Sequence, residues 1–152
     1  MKLNVPHILI VDDDKRILKL ISNYLIDNNF RASIAENSLL AREKLQNIEF
    51  DLIIMDIMMP GETGLKLTDS LKKNNFNTPI LLLSALSSPE DRIKGLEIGA
   101  NDYLTKPFEP KELLLRIKNL IKKNKQEFVR RKKVKFGPFI FDLKKEILKK
   151  NG

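Results

Sequence analysis

The stretch Asp51-Leu52-Ile53-Ile54-Met55-Asp56-Ile57-Met58-Met59-Pro60-Gly61 decides the fold of this chain. Four apolar residues lead to the carboxylate of Asp56, and a turn follows at Pro60 and Gly61. A continuous apolar run is typical of a central strand in a parallel sheet, because both faces of that strand are buried. Ligands of such sheets bind at the carboxyl ends of the strands. Asp56 therefore stands where a site is expected, although an isolated Asp at this place also suits a turn.

Further apolar runs recur along the chain and alternate with stretches that have the spacing of amphipathic helices. The runs predict strands at Ile8–Val11, Arg31–Ala35, Leu52–Asp56, Ile80–Ser84 and Asp102–Thr105. A helix is predicted after each strand: the second is capped by Ser38 and runs to Asn47, and the fourth begins at Ser88-Pro89. This alternation predicts an α/β fold, a doubly wound five-stranded parallel sheet with helices on both faces.

Polar residues follow four of these strands, and in such a fold their ends converge at one edge of the sheet. They are Asp12 and Asp13, Asp56, Ser84 and Lys106. Carboxylates packed together repel one another and favour a hard divalent cation such as Mg²⁺. A hydroxyl and an ammonium group suit the oxygens of a transferred phosphoryl group. Asp12-Asp13-Asp14 alone would be expected to cap a helix, but the four positions together predict a phosphoryl and metal site.

The motifs at these positions resemble those of a two-component response-regulator receiver domain. They are Ile10-Val11-Asp12-Asp13-Asp14, Met55-Asp56-Ile57-Met58-Met59-Pro60-Gly61, Leu83-Ser84-Ala85 and Asp102-Tyr103-Leu104-Thr105-Lys106-Pro107-Phe108. The resemblance covers residues 5 to about 122. It implies a flavodoxin-like sheet with the strand order 2-1-3-4-5.

The resemblance also implies how the site works. Asp56 is the phospho-acceptor, which takes a phosphoryl group from a phosphohistidine of a sensor histidine kinase. Asp13, Asp56 and the backbone carbonyl of Met58 bind Mg²⁺ directly, and Asp12 binds it through water. The chain catalyses only its own phosphorylation and dephosphorylation, so it is not expected to be an enzyme in the usual sense.

Three further residues have roles by the same resemblance. Ser84 binds the phosphoryl group and shifts together with Tyr103. Lys106 pairs with the phosphoryl group and is followed by a cis Lys106–Pro107 bond. Ser84 stands where the family often has Thr, and it keeps the hydroxyl that the role requires.

The basic character of the chain belongs to its last part. Residues 1–121 hold 16 Lys+Arg and 17 Asp+Glu, whereas residues 122–152 hold 12 and 3, a net charge of +9. We therefore expect a receiver domain over 1–122, a basic linker over 123–133 and short β runs over 134–152. These runs resemble the opening sheet of the winged-helix effector domain of OmpR-type regulators, incomplete here.

OmpR-type receivers form homodimers on phosphorylation through the fourth helix, fifth strand and fifth helix. The resemblance implies that Arg92 pairs with Glu112, Asp102 with Arg116 and Glu97 with Lys118, around an apolar patch of Ile93, Leu96 and Leu114. Exposed ion pairs contribute only about 0–1 kcal/mol each. Their value would be in the specificity and register of the dimer.

Three functions remain open. The chain is the receiver and linker of an OmpR-type transcription regulator, which binds DNA only in a full-length form with a complete effector domain. Alternatively, it is a stand-alone phospho-switch that acts through protein contacts without DNA. A Mg²⁺-dependent aspartyl phosphohydrolase is least favoured, because such enzymes of the haloacid-dehalogenase type carry an Asp where this chain has Met58.

The sequence also predicts a compartment. It contains no cysteine, no apolar run that could span a bilayer and no apolar signal segment at its N-terminus. We therefore expect a cytoplasmic protein with no membrane partner.

Overall fold

The computed structural model describes residues 5–86 and 88–146, with side chains described up to residue 130. The described residues form five strands, which alternate with five helices. The strands are β1 (His7–Val11), β2 (Arg31–Ala35), β3 (Leu52–Asp56), β4 (Ile80–Ser84) and β5 (Asp102–Thr105). The helices are α1 (Lys15–Asp27), α2 (Ser38–Asn47), α3 (Gly64–Lys73), α4 (Pro89–Glu97) and α5 (Pro110–Glu146). The predicted alternation of strands and helices is confirmed.

The strands form a parallel sheet in the order β2-β1-β3-β4-β5, which confirms the predicted topology. Every residue of β3 and of β4 is buried. Because successive side chains of a strand point to opposite faces, full burial shows that both faces of the central sheet are covered. This explains why the two central strands read as continuous apolar runs.

The helices bury apolar stripes with the expected spacing. In α1 the buried residues are Leu18, Ile21 and Leu25, which share one face of the helix. Near the start of α5, Leu113 and Ile117 are buried one turn apart. Full burial of each such side chain contributes about 1.5–3 kcal/mol to folding. The helices are therefore held mainly by packing.

Helix α2 begins differently from the prediction. Asn37 caps it, because its side chain accepts a hydrogen bond from the backbone N–H of Leu40 at 2.8 Å. Ser38, the expected cap, is the first residue of the helix, and its hydroxyl donates instead to the backbone carbonyl of Glu62 at 2.8 Å. Asn and Ser are both good caps, so the choice depends on a long-range partner. Helix α4 begins as predicted, with Ser88 as the cap and Pro89 in the first turn.

Two helices end with the same Asn-Asn-Phe sequence and the same backbone conformation. Asn29 after α1 has φ +71°, and Asn75 after α3 has φ +61°. In each case the following Phe backbone N–H bonds back to a Leu carbonyl in the last turn of the helix, Phe30 to Leu25 at 3.0 Å and Phe76 to Leu71 at 3.1 Å. Asn tolerates this left-handed conformation better than most residues.

The last described part of the chain differs from the prediction. Residues 134–146 lie in α5, not in short β runs, and residues 147–152 lie outside the described residues. A piece of two or three strands is marginal alone, which weakens the case for a separate sheet in this segment. The described residues up to Leu120 belong to one compact unit, and those from Ile121 to Glu146 belong to a second. No helix within the described residues is long and apolar enough to cross a membrane.

Candidate functional site

The register of the sheet brings four strand ends to one edge. Val11 in β1 lies beside Met55 in β3, Asp56 lies beside Leu83 in β4, and Ser84 lies beside Thr105 in β5. The residue that follows or ends each of these strands is therefore close to its neighbours. This is how a sheet of this topology gathers Asp12, Asp56, Ser84 and Lys106 from distant parts of the sequence.

Three carboxylates meet at this edge. Asp12, Asp13 and Asp56 each offer an oxygen, and these oxygens all lie within 4.8 Å of one another. Asp12 and Asp56 are buried, while Asp13 is exposed. An all-oxygen set with one solvent-facing member suits Mg²⁺, which prefers hard ligands and retains several of its waters. The residues present therefore fit the metal that the sequence predicts.

Asp14, the third member of the acidic triplet, has a different role. Its side chain caps α1 by accepting a hydrogen bond from the backbone N–H of Arg16 at 2.9 Å. Its own backbone N–H donates to Oδ1 of Asp12 at 2.9 Å. Helix capping, the simple explanation of the acidic triplet, thus applies to Asp14. Asp12 and Asp13 remain available for the predicted phosphoryl and metal site.

Lys106 places an ammonium group among the carboxylates. Its Nζ donates a hydrogen bond to Oδ2 of Asp12 at 2.9 Å and lies 3.5 Å from Oδ1 of Asp56. Burial alone would lower the pKa of Lys106, but the hydrogen bonds and charges of the two Asp side chains outweigh it and raise the pKa. Lys106 is therefore a permanent cation in the site. The Lys106–Pro107 bond is cis, as the resemblance implied.

Asp56 has a strongly perturbed carboxyl group. Its pKa is raised from 3.8 to about 6, first because burial disfavours the charged form and second because of the nearby charge of Asp12. Lys106 and a hydrogen bond from the backbone N–H of Met58 oppose this shift only in part. A cation bound at the site would favour the ionised form of this buried carboxylate.

Ser84 and Tyr103 meet at a common neighbour instead of at the carboxylates. Oγ of Ser84, which is fully buried, accepts a hydrogen bond from the backbone N–H of Leu86 at 2.9 Å. The hydroxyl of Tyr103, also a buried residue, donates to the backbone carbonyl of Leu86 at 2.7 Å. Both side chains are thereby connected through one residue of the β4–α4 loop. A movement of this loop would therefore change the hydrogen bonds of both side chains.

The loop after β3 contains a close contact that the sequence analysis did not single out. A Cβ atom at Gly64 would collide with the backbone carbonyl of Asp56, so only glycine fits the first turn of α3 at this distance. The Met58 side chain, three residues after the end of the apolar run, is 57% exposed beside the site. The position of Gly64 shortly after Pro60-Gly61 is visible in the sequence, but its contact with the Asp56 carbonyl is not.

The surface formed by α4, β5 and the start of α5 contains the residues expected at a dimer face. Arg116 bonds to both carboxylate oxygens of Asp102, at 2.9 and 2.8 Å, and to Glu112 at 3.0 Å. The Arg92 guanidinium lies 6.0 Å from the centre of the Tyr103 ring. A cleft of about 310 Å³ runs between these side chains. The expected Asp102–Arg116 partners are thus paired within one chain.

The other members of this surface are accessible. Ile93 is 54% exposed and Leu96 is 42% exposed, whereas Leu114 is partly buried. Glu97 and Lys118 are exposed. Two of the three residues of the expected apolar patch are therefore open to a partner.

The fold and the site together define a class of protein. Residues 8–118 match the family described as response regulator receiver domain, and the chain belongs to that family. It is 47% identical over 144 residues to Protein PetR of Rhodobacter capsulatus, a match that covers 94% of this chain and 60% of the relative. It is 38% identical over 123 residues to the transcriptional regulatory protein ResD of Bacillus subtilis, which covers 81% of this chain and 51% of that protein.

A solved structure agrees with this assignment. The receiver domain of the Francisella response regulator 1452 superimposes with a TM-score of 0.76 and is 40% identical, covering 78% of this chain and 98% of that one. In contrast, the chain spans only 60% of the length of PetR and about half of ResD. The similarity therefore spans nearly the whole of the solved receiver domain but only part of the length of PetR and ResD.

Proposed function

We propose that this chain is the phosphorylated receiver of a transcription regulator of the OmpR type, and that Asp56 is its acceptor. One observation carries the proposal: a buried carboxylate with a raised pKa lies at the carboxyl edge of the sheet, beside two further carboxylates and 3.5 Å from the Lys106 ammonium. A carboxylate nucleophile beside an ammonium group suits the transfer of an anionic group to Asp56.

The transfer itself is simple to balance. The bond between phosphorus and a histidine nitrogen of the kinase breaks, and a bond between phosphorus and an Asp56 carboxylate oxygen forms. The released imidazole nitrogen takes up a proton from solvent. Asp56 is the nucleophile, and the permanent charge of Lys106 stabilises the phosphoryl oxygens on which negative charge develops.

Asp13, Asp56 and the backbone carbonyl of Met58 would hold Mg²⁺ directly, with Asp12 acting through water. When bound, the ion neutralises the carboxylates and the incoming phosphoryl group. The chain's own residues do the rest. Asp12 holds Lys106 by the 2.9 Å hydrogen bond, which keeps the ammonium group at the site. Ser84 binds a phosphoryl oxygen once its hydroxyl leaves the Leu86 backbone.

The output of the switch is dimerisation. Movement of Ser84 changes the β4–α4 loop, and Tyr103 responds because its hydroxyl is bonded to the same residue, Leu86. Tyr103 also lies under Arg92 on the α4–β5–α5 surface. Phosphorylation at one edge of the sheet is thereby connected to the surface that pairs with a second copy.

The proposed output is transcription. ResD is named a transcriptional regulatory protein, and the PetR match covers 94% of this chain, so it extends beyond the receiver at residues 8–118. We place the receiver at 1–122, and the residues that follow connect it to a DNA-binding effector domain. A sensor histidine kinase is the proposed phosphoryl donor. The chain acts on no substrate other than its own Asp56 phosphate.

Incubation with acetyl phosphate and Mg²⁺, followed by intact-mass measurement, tests the acceptor. The wild-type chain should gain the mass of one phosphoryl group, and Asp56→Asn should gain none. EDTA should prevent labelling of the wild type, because the acidic cluster repels an anionic group when no divalent cation is bound. Asp69→Asn, which removes an exposed carboxylate on α3, is the matched control and should be labelled normally. Labelling of Asp56→Asn, or labelling in EDTA, would contradict the assignment.

A further inference from the structure

The loop between β3 and α3 connects Asp56 to the rest of the molecule. Its first residue, Ile57, donates its backbone N–H to the Leu83 carbonyl at 3.0 Å and accepts from the Gly64 N–H at 3.0 Å. These contacts close the base of the loop. The residues between them include Met58, whose backbone N–H bonds to the Asp56 carboxylate. The position of the loop therefore affects the acceptor directly.

The far side of this loop is bound to α2 through Glu62. The hydroxyl of Ser38 donates to the Glu62 backbone carbonyl at 2.8 Å. The Arg42 guanidinium bonds to both carboxylate oxygens of Glu62, with Nε at 2.9 Å and Nη2 at 2.6 Å. Backbone and side chain of one loop residue are thus both held by one helix. We call Ser38, Arg42 and Glu62 the α2 clamp.

The geometry of the clamp makes it more rigid than an ordinary surface ion pair. A bidentate Arg–carboxylate contact fixes direction as well as distance. The two side chains are only 37% and 30% exposed, and the Arg42 hydrogen bonds lower the pKa of Glu62. Ser38 is buried and is available for the loop because Asn37 caps the helix in its place. The arrangement needs three residues from two distant segments.

We propose that the α2 clamp is a positioning device for the metal site, in which Arg42, Glu62 and Ser38 hold the loop so that the Met58 backbone stays beside Asp56. This inference rests on the proposed function, because it assumes that Mg²⁺ binds at the acidic cluster with the Met58 carbonyl as a ligand. None of the three clamp residues touches the reacting atoms. They act through the loop, much as outer hydrogen bonds orient metal ligands in other proteins.

Calorimetric titration of the full chain with MgCl₂ tests the clamp without any phosphorylation. Arg42→Gln, Glu62→Gln and Ser38→Ala should each raise the Kd for Mg²⁺, by about 10-fold for the two charged residues. The Arg42 variant is decisive. Removing a positive charge near a cation site should strengthen binding by simple electrostatics, whereas release of the loop should weaken it. The Kd of the Arg42→Gln/Glu62→Gln double variant should be no higher than the higher Kd of the two single variants, because both substitutions break the same contact.

The controls separate this inference from the proposed function. Asp69→Asn breaks a different ion pair, with Lys73 on α3, and should leave the Kd unchanged. Thermal unfolding of every variant identifies any that do not fold, and Ser38→Ala is the mildest change if one fails. Unchanged Kd values in folded clamp variants, or tighter binding by Arg42→Gln, would overturn the clamp alone. A wild-type chain that binds no Mg²⁺ would instead contradict the proposed metal site.

Discussion

Lys106 donates its 2.9 Å hydrogen bond to Asp12, although Asp12 is not the proposed phosphoryl acceptor. The acceptor, Asp56, is 3.5 Å from the same ammonium group and keeps a pKa of about 6. The cation is therefore shared unequally between two buried carboxylates. Because Lys106 compensates the negative charge of Asp56 only in part, Asp56 affects the stability of the fold as well as the chemistry of the site.

Asp56→Asn should stabilise the metal-free protein at neutral pH. The pKa of Asp56 is higher in the folded chain than its ordinary value of 3.8, so the folded state favours the protonated carboxyl. That favourable contribution is present at low pH and is lost as the pH rises through about 6. At pH 7 the variant should be more stable by about 1–3 kcal/mol. Urea unfolding in EDTA at several pH values measures the difference.

The pH dependence is the sharper part of this prediction. The advantage of Asp56→Asn should decrease towards pH 4, and Mg²⁺ should reduce it at pH 7 by stabilising the wild type. Asp69→Asn should show no comparable trend, because Asp69 is an exposed member of a surface pair. An equal or lower stability of Asp56→Asn at pH 7 would contradict the view that the Asp56 charge destabilises the folded, metal-free chain.

Met58→Asn or Met58→Glu should shorten the lifetime of the phosphorylated state. Hydrolysis of the acyl phosphate needs a positioned water. The Met58 side chain is exposed and apolar, and its backbone N–H bonds to the Asp56 carboxylate. A polar side chain there could orient that water, and we expect faster decay, on the order of 10-fold. The decay of the phosphorylated mass with time measures the rate. Met58→Leu, which keeps an apolar side chain, should decay slowly like the wild type, and unchanged decay in Met58→Glu would count against this view.

Charge reversal should reveal the pairing of the proposed dimer face. Arg92→Glu places like charges opposite Glu112 of a second copy, and two-fold symmetry applies the penalty twice. We expect the phosphorylated dimer to weaken by about 1–2 kcal/mol, and Glu112→Arg in the same chain to restore part of the loss. Sedimentation of phosphorylated samples measures the dimer. Lys19→Glu, on the exposed side of α1, should have no such effect; simple addition of the two losses would argue against the pair.

The repeated Asn-Asn-Phe helix ends make a prediction about stability alone. Asn29 and Asn75 have positive φ. In this left-handed conformation the Cβ atom lies too close to the backbone, and Asn tolerates it better than Ala does. Asn29→Ala and Asn75→Ala should each destabilise the fold by about 1 kcal/mol, while the corresponding Gly variants should not. Asn23→Ala is the control, because Asn23 is exposed within α1 and Ala favours a helix. Urea unfolding measures all five variants, and a loss in the control as large as at Asn29 would exclude the conformational explanation.

The sequence predicts this fold well where local pattern and tertiary structure agree. The apolar runs of β3 and β4 are buried on both faces, so their strands could be predicted to the residue. The clustering of the three carboxylates was predictable for the same reason, because the strand ends determine which polar residues meet. Topology brings Asp56 to Asp12 and Asp13, which lie far from it in the sequence.

Other features depended on partners that no local pattern reveals. Ser38 and Asn37 are both suitable caps, and the choice between them reflects the bond from Ser38 to Glu62, 24 residues away. Arg42 likewise pairs across 20 residues. Residues 134–146 lie in α5 although Gly137 and Pro138 disfavour a helix, so the local pattern predicted the short β runs expected over 134–152 and not this helix.

Arg116 is already paired with Asp102 inside a single chain, and this has a consequence for assembly. A dimer that re-forms the same pair between two chains exchanges one contact for an identical one, so the number of ion pairs does not change. Association through this face then obtains little net free energy from charge. The strength of the proposed association would then depend on the exposed Ile93 and Leu96, and the fraction of dimer on the concentration of the protein. The proposed regulator would respond to its own abundance as well as to its kinase.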